Sequence, residues 1–260
     1  DLTTTGGTAP YAHDWTGPGG FTASTGDISN LAAGVYQVTV TDANGCVHTS
    51  SWNVNQPGLF SISANVPTYT GGAHVSCPGA TDGSIAMTVS GATPPYTFSW
   101  TGPNAFTSAA EDISGLAAGT YTFVVTDDNG CSSSETIALN APQALQIQLS
   151  AADQGNGFGV SCFAASDGTI DATITGGVAP LTPIWSGPNG FASNSEDVNG
   201  LSAGSHTLTV TDANGCAANA SVMITSPAAL LPTVPTTADV LCHGGQTGTA
   251  TAAVSGGVAP

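Results

Sequence analysis

Positive charge is missing from this chain. Its 260 residues include no lysine or arginine against 17 aspartates and glutamates, so the formal net charge is −17 at pH 7. A polyanion of this kind is repelled by the phosphates of nucleic acids and by anionic lipid headgroups. We therefore exclude nucleic acid as a partner of these residues.

Long apolar runs and catalytic motifs are missing as well. No apolar stretch approaches the roughly 18 residues that a membrane-spanning helix needs, so we expect no membrane insertion in this segment. There is no Ser-His-Asp arrangement, phosphate-binding glycine loop or zinc-protease motif. Histidines occupy unrelated places in the sequence, at His13, His48, His74, His206 and His243. We therefore expect no enzymatic activity.

Repetition is what the sequence has in abundance. The pattern Asp-x-Asn-Gly-Cys recurs with a period of 85 residues, at 42–46, 127–131 and 212–216. Three tryptophans keep the same period, at Trp15, Trp100 and Trp185. Self-similarity at a fixed period is typical of a tandem array of one small domain.

This period predicts four repeats. Repeat one (1–57) is partial and opens at the end of its second strand, repeats two (58–142) and three (143–227) are complete, and repeat four (228–260) holds only two strands. We expect repeat four to continue beyond this sequence. Because the repeats follow one another almost without linker, we also expect an elongated, semi-rigid rod.

Each repeat contains stretches in which small polar and apolar residues alternate. Clusters of Gly, Pro, Asn and Asp separate these stretches, and this pattern is typical of strands joined by turns. In repeat two we expect strands at 60–66, 84–90 and 96–100, short pieces near Phe106 and Ile113, and a hairpin of 121–126 with 132–139. About seven strands is the count of an immunoglobulin-like β-sandwich. The sequence therefore predicts an all-β fold of tandem immunoglobulin-like sandwiches.

Aromatic residues fit this sandwich at two positions. Trp100 falls on the third strand, where such domains bury an indole, and Tyr121 occupies the place of a tyrosine corner. We predict a structural core at five aromatic residues, namely Trp15, Trp100, Trp185, Tyr36 and Tyr121. Repeat three has His206 where the other repeats have the corner tyrosine.

Several motifs carry a family resemblance. They are C-x-G-x-x-D-G-S-I at 77–85, L-x-A-G-x-Y at 116–121, V-T-D-x-N-G-C at 125–131 and G-G-x-x-P at 176–180. Together they resemble SprB-type repeats, which occur in very large surface proteins of the Bacteroidota. The resemblance implies a secreted, surface-attached adhesin or appendage exported by the type IX route. Phe163-Ala164 and Ala92 stand where the family pattern has glycines. These departures affect the expected turn geometry at those positions and not the resemblance to the family.

Six cysteines sit at repeating positions and never form a C-x-x-C pair: Cys46, Cys77, Cys131, Cys162, Cys216 and Cys242. This usage indicates structural disulfides in an oxidising compartment, and hence an extracellular or cell-surface location. In each complete repeat one cysteine follows the first strand and the other precedes the last. In an immunoglobulin topology these positions lie at opposite ends of the sandwich, so a Cys77–Cys131 bridge would exceed the roughly 7 Å limit between Cα atoms.

Stacking of repeats end to end would bring the first loop of one repeat against the last turn of the next. That arrangement favours Cys77 with Cys216 and leaves the other four cysteines to partners outside these residues. Because connectivity cannot be deduced from sequence, bridges within a repeat and other pairings stay open.

Aspartates also recur, most clearly Asp42, Asp127 and Asp212 at the head of each Asp-x-Asn-Gly-Cys turn. One interpretation is turn chemistry, in which the carboxylate accepts hydrogen bonds from the backbone. The other is calcium, a cation that prefers carboxylate and carbonyl oxygens. No EF-hand or nonapeptide calcium repeat is present, so we expect no cofactor and keep calcium as the alternative.

The leading functional hypothesis is a structural and adhesive stalk or fibre of a bacterial cell-surface adhesin or appendage. Its expected partners are other repeats of the same chain and identical chains in a fibre, with an unidentified surface or glycan target. Two alternatives are an array of carbohydrate-binding modules, with Tyr11, Trp15 and Phe21 as a stacking surface, and accessory repeats of a secreted enzyme.

Overall fold

β-Strands make up nearly all of the regular structure. The computed structural model describes residues 2–258, which form twenty strands in six sheets. Short 3-10 turns occur at Pro18–Gly20, Pro103–Ala105 and Pro188–Gly190. The predicted all-β fold class is therefore confirmed.

The strands of repeat one are β1 (Ala12–Gly17), β2 (Phe21–Ala23), β3 (Gly34–Thr41) and β4 (Val47–Val54). Those of repeat two are β5 (Ser61–Asn65), β6 (Gly83–Ser90), β7 (Thr97–Gly102), β8 (Phe106–Ser108), β9 (Ile113–Leu116), β10 (Gly119–Thr126) and β11 (Ser132–Leu139). The seven strands of repeat two lie within one to three residues of the predicted ones.

The strands of repeat three are β12 (Gln146–Ala151), β13 (Gly168–Thr175), β14 (Thr182–Ser186), β15 (Ala192–Ser193), β16 (Val198–Leu201), β17 (Gly204–Thr211) and β18 (Ala217–Ile224). Repeat four contributes β19 (Leu231–Ala238) and β20 (Thr249–Ser255), which form a two-stranded antiparallel sheet.

Contacts divide the chain into two compact units. One contains Asp1–Ile62, Val89–Thr97 and Val125–Ser133, and the other contains Ser63–Thr88, Phe98–Val124 and Ser134–Pro260. The first unit includes the four-stranded sheet of repeat one, in the order β2-β1-β3-β4. Its core is formed by Trp15, Tyr36 and Val38.

Repeat three, which lies in the second unit, is a two-layer sandwich. One layer has the strand order β12-β13-β16 and the other β15-β14-β17-β18. Their inner faces share one hydrophobic core, to which β13 contributes Ile170 and Ala172, β14 contributes Trp185, and β17 contributes Leu208 and Val210. The period-two burial along β17 is what the alternation of its sequence predicts, because successive side chains of a strand point to opposite faces.

Repeat two has the same strand orders, β5-β6-β9 and β11-β10-β7-β8. Trp100 is fully buried in it, with its ring 4.8 Å from that of Phe123. Tyr121 is also buried, and its hydroxyl donates a hydrogen bond of 3.0 Å to the carbonyl oxygen of Ala117. Tyr36 makes the equivalent bond to Ala32 in repeat one, at 2.9 Å. All five predicted core aromatics, Trp15 and Trp185 included, are buried.

Candidate functional site: a disulfide-closed repeat junction

One aspartate organises each Asp-x-Asn-Gly-Cys turn. In repeat three, Oδ1 of Asp212 accepts hydrogen bonds from the backbone N–H groups of Asn214 and Cys216, both at 2.9 Å. Its Oδ2 accepts a third bond from the N–H of Val178, at 3.0 Å. The side chain thereby fixes the shape of the turn and presents Cys216 at its end, and Gly215 takes the positive φ of +86° that the turn needs.

The same geometry recurs in the first unit. Asp42 accepts bonds from Asn44, Cys46 and Thr8, and Asp127 accepts bonds from Asn129, Cys131 and Thr93. The hydrogen bond from the backbone N–H of Cys46 has the largest effect on the pKa of Asp42. It lowers this pKa below its ordinary value because it stabilises the carboxylate. All three aspartates considered as alternative calcium ligands therefore perform turn chemistry.

Calcium binding by these aspartates stays the alternative hypothesis, beside the expectation of no cofactor. Residues 2–258 contain no group of three or more His, Cys, Asp or Glu side chains close enough to share a metal ion. A thermal unfolding midpoint that is unchanged by millimolar calcium at constant ionic strength would contradict this hypothesis.

The second half of the junction is the loop of repeat two between β5 and β6, residues 66–82, which we call the cysteine loop. Oδ1 of Asp82 accepts a hydrogen bond from the N–H of Ser76 at 3.0 Å, and the N–H of Ala80 donates to the carbonyl oxygen of Cys77 at 3.0 Å. The loop is tied to the end of β11 by a bond from the N–H of His74 to the carbonyl oxygen of Asn140, at 2.8 Å. These bonds hold Cys77 on an ordered loop.

The cysteine loop of repeat two and the turn of repeat three meet directly. The structure contains a disulfide between Cys77 and Cys216, the pair favoured in the sequence analysis, with a Cα–Cα distance of 5.6 Å. Nδ2 of Asn214 donates a hydrogen bond of 3.0 Å to the carbonyl oxygen of Thr70. The sulfur of Cys216 also lies 3.2 Å from the carbonyl oxygen of Ser76. The junction thus combines a covalent bond with a directional polar contact.

Gly71 gives the junction a close apolar contact. A Cβ added at this residue would lie 3.0 Å from Cγ1 of Val178, which belongs to repeat three. Gly71 also has a φ of +86°, a conformation that side-chain-bearing residues rarely adopt. Gly72, next in sequence, has a similar φ of +80° but open space around its Cα.

This difference supports a prediction with a matched control. Gly71→Ala and Gly72→Ala should carry a similar backbone cost of about 1 kcal/mol, because both place alanine at a positive φ. Only Gly71→Ala should in addition push Val178 away, and so accelerate reduction of the Cys77–Cys216 disulfide by dithiothreitol. Equal reduction rates in the two variants would show that the contact does not hold the junction closed.

The remaining cysteines are free and exposed in the described part of the chain: Cys46, Cys131, Cys162 and Cys242. The alternative of a bridge within repeat two, Cys77 to Cys131, does not occur in the structure, because Cys77 is already paired with Cys216. That the four free cysteines pair with partners outside these residues stays a prediction.

His206, which takes the place of the corner tyrosine in repeat three, is a buried polar side chain. His206 is fully buried, and its Nε2 lies 3.0 Å from the carbonyl oxygen of Ser202. In repeat two, the hydroxyl of Tyr121 makes the equivalent contact with the carbonyl oxygen of Ala117. A neutral imidazole that donates from Nε2 leaves Nδ1 unprotonated, and Nδ1 has no hydrogen-bond partner among the described residues. The His206 ring occupies the same place in repeat three as the Tyr121 ring does in repeat two. A Cβ added to Gly187 would clash with the His206 ring, and a Cβ added to Gly102 would clash with the Tyr121 ring in the same way.

Restoring the tyrosine should therefore stabilise repeat three. We expect His206→Tyr to raise the free energy of unfolding by about 1–2 kcal/mol, because it removes an unpaired buried nitrogen and keeps the bond to the carbonyl. The converse variant, Tyr121→His, should destabilise repeat two. Urea unfolding monitored by hydrogen exchange in β10 and β17 measures each effect in its own repeat, and a loss of stability in His206→Tyr would contradict the argument.

The cysteine loop of repeat three, residues 152–167, is also held by aspartates. Oδ1 of Asp167 accepts a hydrogen bond of 3.1 Å from the N–H of Ser161, and bonds from Ser161 lower the pKa of Asp167. Oδ1 of Asp153 accepts bonds from the N–H groups of Gly155, Asn156 and Gly157 at 2.8–3.0 Å, and the bond from Gly157 is the main cause of its lowered pKa.

These lowered pKa values predict a loss of stability in acid. An aspartate whose pKa is lower in the folded chain stabilises the fold above its unfolded pKa of about 3.9, and this contribution disappears as the pH falls through the folded value. We expect the thermal midpoint to fall below about pH 4. Asp167→Asn, which keeps an oxygen for the Ser161 N–H, should weaken this pH dependence, whereas Asp239→Asn at an exposed site should not. An equal pH profile in both variants would contradict the assignment.

No helix in the described range 2–258 is long and apolar enough to cross a membrane.

Three segments of the chain match the SprB repeat family, at residues 74–105, 160–190 and 234–260. The first two begin in the cysteine loops of repeats two and three. No curated protein matches the chain.

Several solved structures of tandem domains are similar at low identity. A tetra-tandem repeat in the extending region of a large adhesion protein is 14% identical, with 96% of this chain and 81% of that chain covered and a TM-score of 0.30. A structure concerned with host cell surface retention of a 1.5-MDa bacterial ice-binding adhesin is 15% identical, with 86% and 87% covered and a TM-score of 0.39. Extracellular domains 3–5 of Drosophila OTK are 13% identical, with 84% and 86% covered and a TM-score of 0.26.

Proposed function

Because this chain carries SprB repeats in three places, we propose that it is a structural segment of an extracellular, cell-surface adhesin or appendage, in which consecutive repeats are fastened end to end into a stalk or fibre. The observation that carries the proposal is the junction of repeats two and three. There a disulfide joins Cys77 to Cys216 across a sequence separation of 139 residues. A bond in that place resists the separation of neighbouring repeats.

Compartment and surface chemistry support this role. Structural disulfides persist outside the reducing cytosol, so the Cys77–Cys216 bond favours an extracellular or cell-surface location. A surface without lysine or arginine offers no cleavage site to trypsin-like proteases, and its net charge of −17 opposes lateral association at low salt. The proposal includes export by the type IX route, which the SprB resemblance implies.

The carbohydrate-binding alternative finds little support in the aromatic residues. Trp15, Trp100 and Trp185 are buried, and so cannot stack on a sugar. Trp52 is 47% exposed, but it lies on β4 at the position that Ile137 and Val222 take in the other repeats. Ile137 is buried and Val222 packs against the core of repeat three, so the position faces inward. Trp52 is therefore better explained as a core residue than as a platform for glycans.

Measurements on the native protein and on a deletion variant test the proposed function. Immunogold labelling of intact cells should place the repeats outside the cell, and electron microscopy should show filaments whose mass per length is that of one chain or an integral multiple. In-frame deletion of residues 58–142 should shorten these filaments by one repeat and leave adhesion to the natural surface intact. Loss of adhesion without shortening would instead place the binding site in the deleted repeat. Binding of the 260-residue chain to a glycan array would favour the carbohydrate-binding alternative.

A further inference from the structure

One residue beside each Asp-x-Asn-Gly-Cys turn has the same backbone placement in repeats one, two and three. This residue is Thr8, Thr93 and Val178, respectively, and its N–H donates to Oδ2 of the turn aspartate at 3.0, 3.2 and 3.0 Å. Its carbonyl oxygen accepts a bond from the N–H of the residue that follows this aspartate, at 2.9, 3.0 and 2.9 Å. Because both bonds recur, the three repeats differ here in the side chain rather than in the backbone.

This side chain decides where the turn asparagine donates. In repeats one and two the threonine hydroxyl accepts a bond of 2.9 Å from Nδ2 of the turn asparagine, Asn44 or Asn129. Valine has a methyl group where threonine has its hydroxyl, so Val178 offers no acceptor. Nδ2 of Asn214 instead donates to the carbonyl oxygen of Thr70 in repeat two, at 3.0 Å. The valine therefore leaves the amide of Asn214 available to the neighbouring repeat.

Val178 also contacts the residue next to that acceptor. A Cβ added at Gly71 would lie 3.0 and 3.2 Å from the two methyl carbons of Val178. The loop tip that presents Thr70 and Gly71 is closed by a bond from the N–H of Tyr69 to the carbonyl oxygen of Ala73, at 2.8 Å. One side chain of repeat three thus governs two contacts, with consecutive residues of repeat two.

From these observations we propose that Val178 is the specificity-determining residue of this junction: valine at this place directs the turn asparagine to the preceding repeat, whereas threonine retains it within its own repeat. The surface that fits a turn beside valine is a loop tip that presents a carbonyl oxygen and then a glycine, as Thr70-Gly71 does. A turn beside threonine offers its cysteine to a neighbour and keeps its asparagine. The inference rests on the proposed fastening of repeats, and deepens it by naming the residue that sets how firmly a junction is held.

The test exchanges valine for threonine in the whole 260-residue chain. Val178→Thr supplies the missing hydroxyl on the same backbone, so Nδ2 of Asn214 should return to an acceptor in its own repeat. Nuclear Overhauser effects in isotope-labelled protein measure this directly. Those that join the side-chain amide protons of Asn214 to protons of Thr70 and Gly71 should be present in the unmodified chain and disappear in Val178→Thr. Their persistence beside a formed disulfide would overturn the inference and leave the fastening of the two repeats intact.

The altered junction should also be reduced faster. Local opening exposes the Cys77–Cys216 disulfide to dithiothreitol, and the loss of one hydrogen bond should raise the reduction rate in Val178→Thr by about twofold to tenfold. Val178→Ala removes the methyl contact without supplying an acceptor, so it should retain the Overhauser effects between Asn214 and Thr70. If Val178→Ala loses them as fully as Val178→Thr does, packing rather than the absent hydroxyl places the amide, and the proposal fails.

Two further variants complete the test. Thr93→Val, the matched control, makes the reverse exchange beside a turn that takes no part in this junction, and should leave the reduction rate of Cys77–Cys216 unchanged. In an Asn214→Ala background, Val178→Thr should accelerate reduction less than in the unmodified chain, because the donor is already gone. Full additivity of the two changes would contradict the proposal. Absence of the disulfide from the unmodified protein would instead contradict the proposed function itself.

Discussion

Reduction of the Cys77–Cys216 disulfide should lengthen the mechanically stretched chain by about 480 Å, since 139 residues span at most about 3.3–3.6 Å each when extended. In the oxidised chain, a force applied at the two termini passes through the disulfide and bypasses residues 78–215. Strands β6 to β17 lie within this bypassed segment. They therefore carry no tension until the bond is broken.

Single-molecule force spectroscopy on the 260-residue chain measures this difference directly. The total contour length released by unfolding should be about 480 Å shorter in oxidised protein than in protein treated with dithiothreitol. Cys77→Ser should show the longer value under both conditions, and Cys162→Ser should behave like the unmodified chain. Identical contour lengths with and without reductant would mean that the bond does not form in the protein.

The same bond should contribute to thermodynamic stability. In the chain-entropy model, closing a loop of this size restricts the unfolded chain by about 5 kcal/mol, an estimate that strain or residual structure reduces. The loop also includes most strands of repeats two and three. Cys216→Ser should therefore lower the unfolding temperature of both repeats rather than of one.

Strand positions in repeat two could be predicted well because the local pattern determines them. Residues 121–126 and 132–139 flank an Asp-x-Asn-Gly-Cys turn, and the hairpin appears as β10 and β11 within two residues of that prediction. Trp100 was recognisable as a core residue because its period and its strand position agree. These features depend on neighbours in sequence, which the chain itself displays.

Features of the junction depend on residues far apart in sequence, and were harder to predict. The sequence favoured the pairing of Cys77 with Cys216 over other pairings but did not determine it. The pairing depends on which loops of neighbouring repeats meet, and the two cysteines are 139 residues apart in sequence. The contact between Gly71 and Val178 was missed, although Gly71-Gly72 at a loop position was visible as a signal. The aspartates of the turns were ambiguous between calcium and backbone, because sequence does not show which N–H groups a carboxylate faces.

Core substitution should have the largest effect on a single repeat, and Trp185 is the sharpest case. Its ring is fully buried in the core of repeat three, and its Nε1 donates to the carbonyl oxygens of Ser195 and Glu196, at 3.0 and 3.1 Å. Trp185→Ala should destabilise repeat three by about 3–5 kcal/mol, because it leaves a large cavity. Trp185→Phe retains most of the ring volume, and should cost about 1–3 kcal/mol for the two carbonyls left without the indole donor.

The comparison with Trp52 separates burial from residue type. Trp52→Ala removes the same side chain from a site that is 47% exposed, so we expect a smaller loss, of about 1–2 kcal/mol, confined to repeat one. Hydrogen exchange resolved to β17 and β3 measures both losses in the intact chain, and Trp100 remains as a fluorescent probe of repeat two. If Trp185→Ala and Trp52→Ala cost the same, burial does not determine what the loss of a tryptophan costs in this chain. A large difference instead means that full burial in the two-layer core of repeat three is what makes Trp185 important to the stability of that repeat.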